Sequence, residues 1–445
     1  MDDIETAVAA LVAKQPFYTR LWEYYEGAPP LAYSTERLRA VFHDIDAKFS
    51  ENWIAVIVDS VMDRINLTGF SITGNDDAAA LLNRLFLSTE LSLDSDDAHL
   101  AALVCGDSFV IGWGGDNGPE AFYNDPRACY IKYDVENPRK KLWAAKWWMA
   151  DDGRCKLTVY YPDRLEKYTT ANSVQGTVDQ HTKFQPEGTP EDNPYGIIPV
   201  FHLRRDRRKI KSEISDVLPL QDAVNKLLSD AMIAAEFGAF RQRYVISSAG
   251  IDGLKNAPNE IWDIPAGDGG GQATSVGEFA QTDLGVYFAA IDKLATAMSV
   301  ITRTPKHYVY GQGGDPSGEA LIAMEAPLIR KCSRYIERFT STWQKIGSFL
   351  LHVAGVEVAP EQITPLFDRP ETVQPRTTAE IRDLGVRAGV PLVTLLRDEG
   401  KDEAWLAAME KDRAAQDAAK SATLAAAMLE AQRRFDGGDT GGTEE

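Results

Sequence analysis

The sequence predicts an α+β fold that is mainly helical. Apolar residues recur at spacings of three and four through most of the chain, as on a helix with one buried face. One block, 107–203, switches to short alternating runs between turns, the texture of antiparallel strands. Hydrophobic residues make up 44% of the 445, enough for a real core in a chain of roughly three domains' length.

Residues 3–26 carry Ile4, Val8, Leu11, Phe17, Leu21 and Tyr25 at helical intervals, and Gly27 with Pro29 and Pro30 stops the run. Further helices are expected over about 50–64, with a broad apolar face from Trp53 to Ile65, then over 76–88 and about 96–104. Gly106 breaks the last of these, after which Phe109, Ile111 and Trp113 alternate as a strand. In the β-rich block, Asp152-Gly153 marks a tight hairpin. The Pro- and Gly-rich stretch 179–199 reads as a surface loop ending in IIPVFHLRR, another strand.

Helix resumes at 213 and runs to about 240, with Pro219 tolerated in its first turn. RYVIS and EIWDIP read as two short strands, joined to the next helix by a flexible glycine-rich connection, GDGGGQATSVGEF. That helix, from Thr282 to about 302, aligns Leu284, Phe288, Ile291, Leu294 and Met298. After the loop TRTPKHYVYGQGGDPSGEAL, a long helix over 317–355 buries Leu321, Met324, Leu328, Cys332, Tyr335, Phe339, Trp343, Ile346 and Leu350. Ser317 is its expected N-cap, with Glu319 in the first turn. Pro327 lies inside it and predicts a kink. Residues 375–435 are helical again, and 436–445 form a disordered tail.

The charge balance narrows function. There are 66 acidic and 47 basic residues, a net charge of −19. A protein that grips DNA along its surface leans basic, because affinity rests on neutralised phosphates. This chain either avoids nucleic acid or meets it without gripping; acidity that merely aids solubility gives the same balance. The four cysteines form no C-x-x-C pair and read as reduced structural thiols. The acidic N-terminus is unlike a secretory signal, and no run of 18 apolar residues predicts a membrane span. Cytoplasmic synthesis and assembly are expected.

Catalytic signals are weak. The six histidines are scattered, with no H-E-x-x-H, so no metal and no cofactor is expected. GQGGDPSGEAL lacks the lysine of a phosphate loop, and GDSFV lacks the second glycine of a nucleophile elbow. One basic cluster, Arg204 to Lys211, stands against the acidic background. A phosphate site is one reading; a solvated ring of charge or subunit salt bridges is the other.

Several strings in this order resemble the portal proteins of tailed double-stranded DNA bacteriophages, of the siphophage type. YYEG at 24–27 closes the first helix, and CGDSFV at 105–110 is similar to that family's strand entry. NPYGIIPVFHL at 193–203 resembles the strand before its first stem helix, and SDVLPLQDAVNKLLSDAM at 215–232 the stem helix itself. SGEALIAMEAPLIRK at 317–331 resembles the helix after its tunnel loop. Together these span roughly residues 20–350.

The resemblance implies a ring of about twelve subunits at one capsid vertex. It implies a wing over 1–212, stem helices over 213–240 and 282–302, a clip over 241–281 and a tunnel loop over 303–316. The long kinked helix and the remainder of the wing cover 317–374, a crown 375–435. The implied tunnel-loop residues facing DNA are Arg303, Lys306, His307, Tyr308 and Tyr310. The clip residues docking the motor or adaptor are Tyr244, Ile246, Ile261, Trp262 and Ile264. Ring packing falls to Leu220, Val224, Leu227, Leu228, Leu284, Phe288 and Ile291. Implied partners are double-stranded DNA read without sequence specificity, the terminase large subunit, the major capsid and scaffolding proteins, and a head-completion adaptor, with no membrane. Such a protein channels the genome during packaging and ejection, resides in the virion and is not an enzyme. The alternative is another structural head-completion or tail protein.

Overall fold

The computed structural model describes residues 3–29, 51–115, 118–174, 178–206, 208–239, 243–246, 275–278, 283–309, 317–371, 375–399 and 403–436. The chain divides into two compact units, 1–370 and 371–445.

The first unit opens with α1 (Asp3–Tyr25), which buries Val8, Leu11 and Leu21 as its periodicity requires. Phe17, expected inside, is 45% exposed. Its neighbour Tyr18 takes the inward place because its hydroxyl donates to the buried Asp107 carboxylate at 2.7 Å, a bond phenylalanine cannot make. Next come α2 (Trp53–Met62), α3 (Asp76–Ser88) and α4 (Leu91–Val104). Asn52 and Asn75 cap α2 and α3, each side chain accepting from a backbone N–H three residues on, at 3.1 and 3.0 Å.

Gly106 turns α4 into β2 (Asp107–Gly115). Its φ is +95°, and a Cβ there would lie 2.7 Å from the Lys211 backbone. Gly106→Ala combines an unfavourable backbone region with a clash against main chain. It is expected to cost roughly 2–4 kcal/mol, read as a lower denaturant midpoint.

β2 is the centre of a three-stranded antiparallel sheet, between β3 (Gly118–Asn124) and β10 (Val200–Arg204). A larger sheet runs β4 (Cys129–Tyr133), β5 (Lys141–Met149), β6 (Cys155–Tyr160), β7 (Arg164–Thr170) and β8 (Phe184–Pro186), with β9 (Glu191–Asp192) also on β7. The β5–β6 turn is the expected hairpin, with Gly153 at φ +77°. The stretch read as a loop, 179–199, therefore contributes two short edge strands.

The central core gathers around α8 (Gly318–Val353). Leu328, Cys332, Tyr335, Phe339, Trp343, Ile346 and Leu350 are none more than 4% exposed. The face expected for its first turns is not buried: Leu321 is half-exposed and Met324 42% exposed. The helix runs through Pro327, whose ring leaves the Ala323 carbonyl without its usual donor. Ser317 caps it, its Oγ accepting from the Ala320 N–H at 3.3 Å. Beyond α8, β13 (Ile363–Phe367) pairs antiparallel with β1 (Leu67–Ile72), Ile363 opposite Ile72.

α5 (Leu218–Ala239) and α6 (Gly285–Thr302) pack on each other. β11 (Arg243–Ile246) pairs antiparallel with β12 (Ser275–Glu278). The partner of RYVIS is thus found within the stretch read as a flexible connection; EIWDIP lies outside the described residues. The second unit holds α9 (Pro375–Arg387), α10 (Leu392–Asp398) and α11 (Glu403–Asp436). Arg382 forks onto Glu399 with two bonds of 2.8 Å, tying α9 to the end of α10.

Candidate functional site

The loop singled out in the sequence is held at its foot by a convergence of five elements. α6 ends at Thr302, and Arg303 follows in the left-handed region, φ 58° and ψ 28°. Glycine is the usual occupant of such a helix end; here an exposed arginine stands in it. The chain then forms a single helical turn, α7 (Lys306–Val309).

Each side chain of that turn is engaged within the chain. Lys306 Nζ reaches Asp292 of α6 at 2.7 Å. Tyr308 donates its hydroxyl proton to Glu325 of α8 at 2.7 Å and accepts from Arg64 at 2.8 Å. Arg64 also lies over the Tyr308 ring, 5.7 Å from its centre. The His307 ring stands edge-on to Tyr308, and Val309 is buried. Of the five residues expected to face DNA, Lys306, His307 and Tyr308 are thus half-buried anchors, Arg303 is exposed, and Tyr310 lies outside the described residues. The anchoring was invisible in sequence because Arg64 and Glu325 come from distant segments.

Beneath this turn lies a buried polar knot. The Glu213 carboxylate, 3% exposed, accepts from Arg205 Nε at 2.7 Å, from Lys331 Nζ at 3.0 Å and from the Tyr335 hydroxyl. Lys331 also donates to the Thr302 carbonyl at 2.6 Å, closing the C-terminus of α6. Burial works to raise the Glu213 pKa, yet Lys331 and Arg205 hold it below the usual carboxylate range. The group is therefore ionised and bonded to three donors, as a buried charge must be. This arrangement holds a loop rigidly at its base.

The basic cluster resolves into separate roles. Arg205 belongs to the knot, Arg208 pairs with Asp206 at 3.5 Å, and Lys211 pairs with Asp216. Arg204 lies over the Tyr133 ring, and Arg207 lies outside the described residues. Arg205, Arg208 and Lys211 are thus held by carboxylates of the same chain. Ser108 of GDSFV is buried, its hydroxyl donating to the Ala98 carbonyl at 2.5 Å.

The residues expected to pack a ring divide unevenly. Val224 and Ile291 are 0% and 2% exposed. Both belong to the chain's own core, where α5 and α6 use the centre of their apolar stripes against each other and the central core. Leu220, Leu227, Leu228 and Leu284 are half-buried, the first three against that core. Phe288 is 48% exposed. Three residues that periodicity missed are more uncovered or equally so: Val286 at 66%, Val300 at 74% and Ile301 at 49%. The available signal was composition, since α6 is apolar nearly all round, with Asp292 and Lys293 its only charges. By length and composition α6 alone among the described helices could cross a membrane. The Asp292–Lys306 ion pair partway along it is a costly feature in lipid and favours a protein surface as its cover.

Of the expected clip residues, Tyr244 is 40% and Ile246 58% exposed. Tyr244 lies across Gly277 of the opposite strand, where a Cβ would meet its ring at 2.4 Å. Ile261, Trp262 and Ile264 lie outside the described residues.

Two buried histidines make the unit acid-sensitive. Burial pushes His99 down to about 3; its Nε2 accepts from Trp343 Nε1 at 2.9 Å. Burial pushes His202 down to about 4, against the pull of Asp107. In the unfolded chain both titrate near 6.5. Below that pH the unfolded state binds protons that the folded state refuses. Stability is therefore full above about 6.5 and falls toward 4, by up to about 1.4 kcal/mol per pH unit for each histidine. Denaturant midpoints at pH 7 and pH 5 check this, and His99→Phe is expected to flatten the difference.

Two packed helices with a small sheet between them, a held loop and a long helix running through an α/β body are consistent with a portal-type fold. The family model described as "Phage portal protein, SPP1 Gp6-like" matches residues 13–389, and the chain belongs to that family. The family is structural rather than catalytic. A search of the curated proteins gave no match. Among solved structures, one similar chain comes from "Neck of empty GTA particle computed with C6 symmetry", at 12% identity and TM-score 0.46, covering 80% of this chain and 90% of that one. Another comes from "Virion of native gene transfer agent (GTA) particle", at 12% identity and TM-score 0.43, with the same coverage.

Proposed function

We propose that copies of this chain close into a ring of about twelve at a capsid vertex, through which double-stranded DNA enters and leaves. The observation that carries this is the uncovered apolar surface of α6. Val286, Phe288, Val300 and Ile301 are 48–74% exposed in a single chain, and Ile322 and Met324 at the start of α8 are 39% and 42% exposed. A heterologous contact repeated around an axis covers such a surface on every copy and leaves none at the ends. In the ring, 213–240 and 282–302 form the stem, 241–281 the clip, 1–212 with the end of 317–374 the wing, and 375–435 the crown. The clip, with Tyr244 and Ile246 outward, receives the packaging motor and then the head-completion adaptor. The crown unit faces the interior set by the capsid and scaffolding proteins. The net charge of −19 per copy makes the bore repel phosphate and lets DNA slide.

Lys306 is spent on Asp292, so the loop's contact with DNA falls to Arg303 and to residues 310–316. Arg303→Gly tests this. Glycine suits the left-handed backbone and is expected to stabilise the fold by up to about 1 kcal/mol. Rings should form as before while packaged DNA is retained less well. Unchanged packaging and retention would remove Arg303 from the channel's function.

A further inference from the structure

The narrow cleft between β10, the start of β5 and the middle of α8 is lined by cations. A cavity of about 110 Å3 is bounded by Arg139, Lys141, Arg204, Arg338 and Lys345, with the hydroxyl-bearing Ser341 and Thr342 beside them. No Asp or Glu is among its lining residues. None of the five cations forms an ion pair with a described carboxylate, on a chain that carries a net charge of −19. Asp206, the acidic group whose charge feels Arg338, is paired with Arg208 instead. The cations rest on weaker partners. Lys141 Nζ donates to the Val200 carbonyl at 2.6 Å and lies over Phe201, Arg204 lies over Tyr133, and Arg338 donates to the Arg205 carbonyl. Burial, with Lys345 adding to it, pushes Lys141 down to about 7. The site crowds five basic side chains, none of them in an ion pair with a described carboxylate, and Asp206, which feels Arg338, is itself paired with Arg208.

We propose that this cleft is a binding site for a phosphate group. Charge and shape favour phosphate over carboxylate. A planar monoanion offers two oxygens and leaves most of the five cations uncompensated. A tetrahedral phosphate offers oxygens in several directions and, as a monoester or pyrophosphate, more charge. The cavity is sized for one such group, and the wider adjoining pocket, walled by Tyr195, Phe201 and Phe349, leaves room for what carries it. The source is either a free phosphate compound or a phosphate of the DNA backbone. Either source deepens the portal reading without being required by it, because ring formation is read separately.

The test is calorimetric titration of the full chain with pyrophosphate and, separately, with a short blunt DNA duplex. Lys345→Glu combined with Arg139→Glu, both exposed positions, is compared with Lys183→Glu at a remote exposed position. Saturable pyrophosphate binding that the double variant weakens roughly tenfold or more, and Lys183→Glu leaves intact, supports the site. Duplex binding lost in parallel assigns it to the DNA backbone; duplex binding unaffected assigns it to a free phosphate compound. Lys345→Gln serves as a milder probe if the double variant fails to fold. Absence of saturable binding, equal loss in Lys183→Glu, or stronger competition by an acidic peptide than by pyrophosphate would overturn the proposal.

Discussion

Replacing Lys331 by methionine is expected to destabilise the protein by about 3–5 kcal/mol, the cost of stripping one partner from a buried ion pair. Methionine keeps the volume of the lysine stem but removes the ammonium. Glu213, 3% exposed, then keeps only Arg205 and Tyr335, and the Thr302 carbonyl loses its donor. Glu213→Leu alone is expected to cost a similar amount, because it strands Lys331 and Arg205. The two changes together should cost less than their sum, since the second removes the charge that the first left unpaired. Denaturant titration of the two single variants and the double variant reads the cycle directly; strict additivity would mean that the knot does not act as a unit. The knot fastens the end of α6 to α8, so its loss should also raise hydrogen exchange over α7 and the residues after it.

Phe288→Asp together with Val300→Asp is expected to abolish rings while leaving a folded monomer. In the single chain Phe288 is half-exposed and Val300 mostly so, at 48% and 74%. Charge at these exposed positions is expected to be tolerated by the single chain far better than charge in its core. In a ring each would be covered, worth about 1.5–3 kcal/mol per fully buried side chain, and an aspartate in its place adds the cost of burying an unpaired charge. The loss repeats at every contact around the ring. Ile291→Asp makes the contrasting control. Ile291 is 2% exposed in the core, so that change should unfold the chain. Velocity sedimentation beside circular dichroism separates the two outcomes.

Much of the fold was legible because it is local. The 3.6-residue period located α8 and its buried face from Leu328 to Leu350, and Ser317 announced its own cap. Asp152-Gly153 marked its hairpin. What was not legible depends on pairing across long stretches of chain. β13 completes β1 from nearly the far end of the first unit, and nothing in ITPLF says so. β12 lies in a stretch whose glycines read as flexible, one of which, Gly277, makes room for the Tyr244 ring. The knot draws Arg205, Glu213, Lys331 and Tyr335 from three segments, each ordinary alone. Which apolar residues of α5 and α6 the single chain leaves exposed was illegible for a related reason. Periodicity shows that a stripe is covered but not by what: Val224 and Ile291 are covered from within, while Val286, Val300 and Ile301, off the stripe, are left half or more exposed.

The particle mass and rotational symmetry of the purified protein test the central claim most directly. A closed ring with a central opening, held together through α6, is the expected result. A monodisperse monomer that stays soluble at high concentration, its Val286, Phe288, Val300 and Ile301 exposed and unassociated, would contradict it.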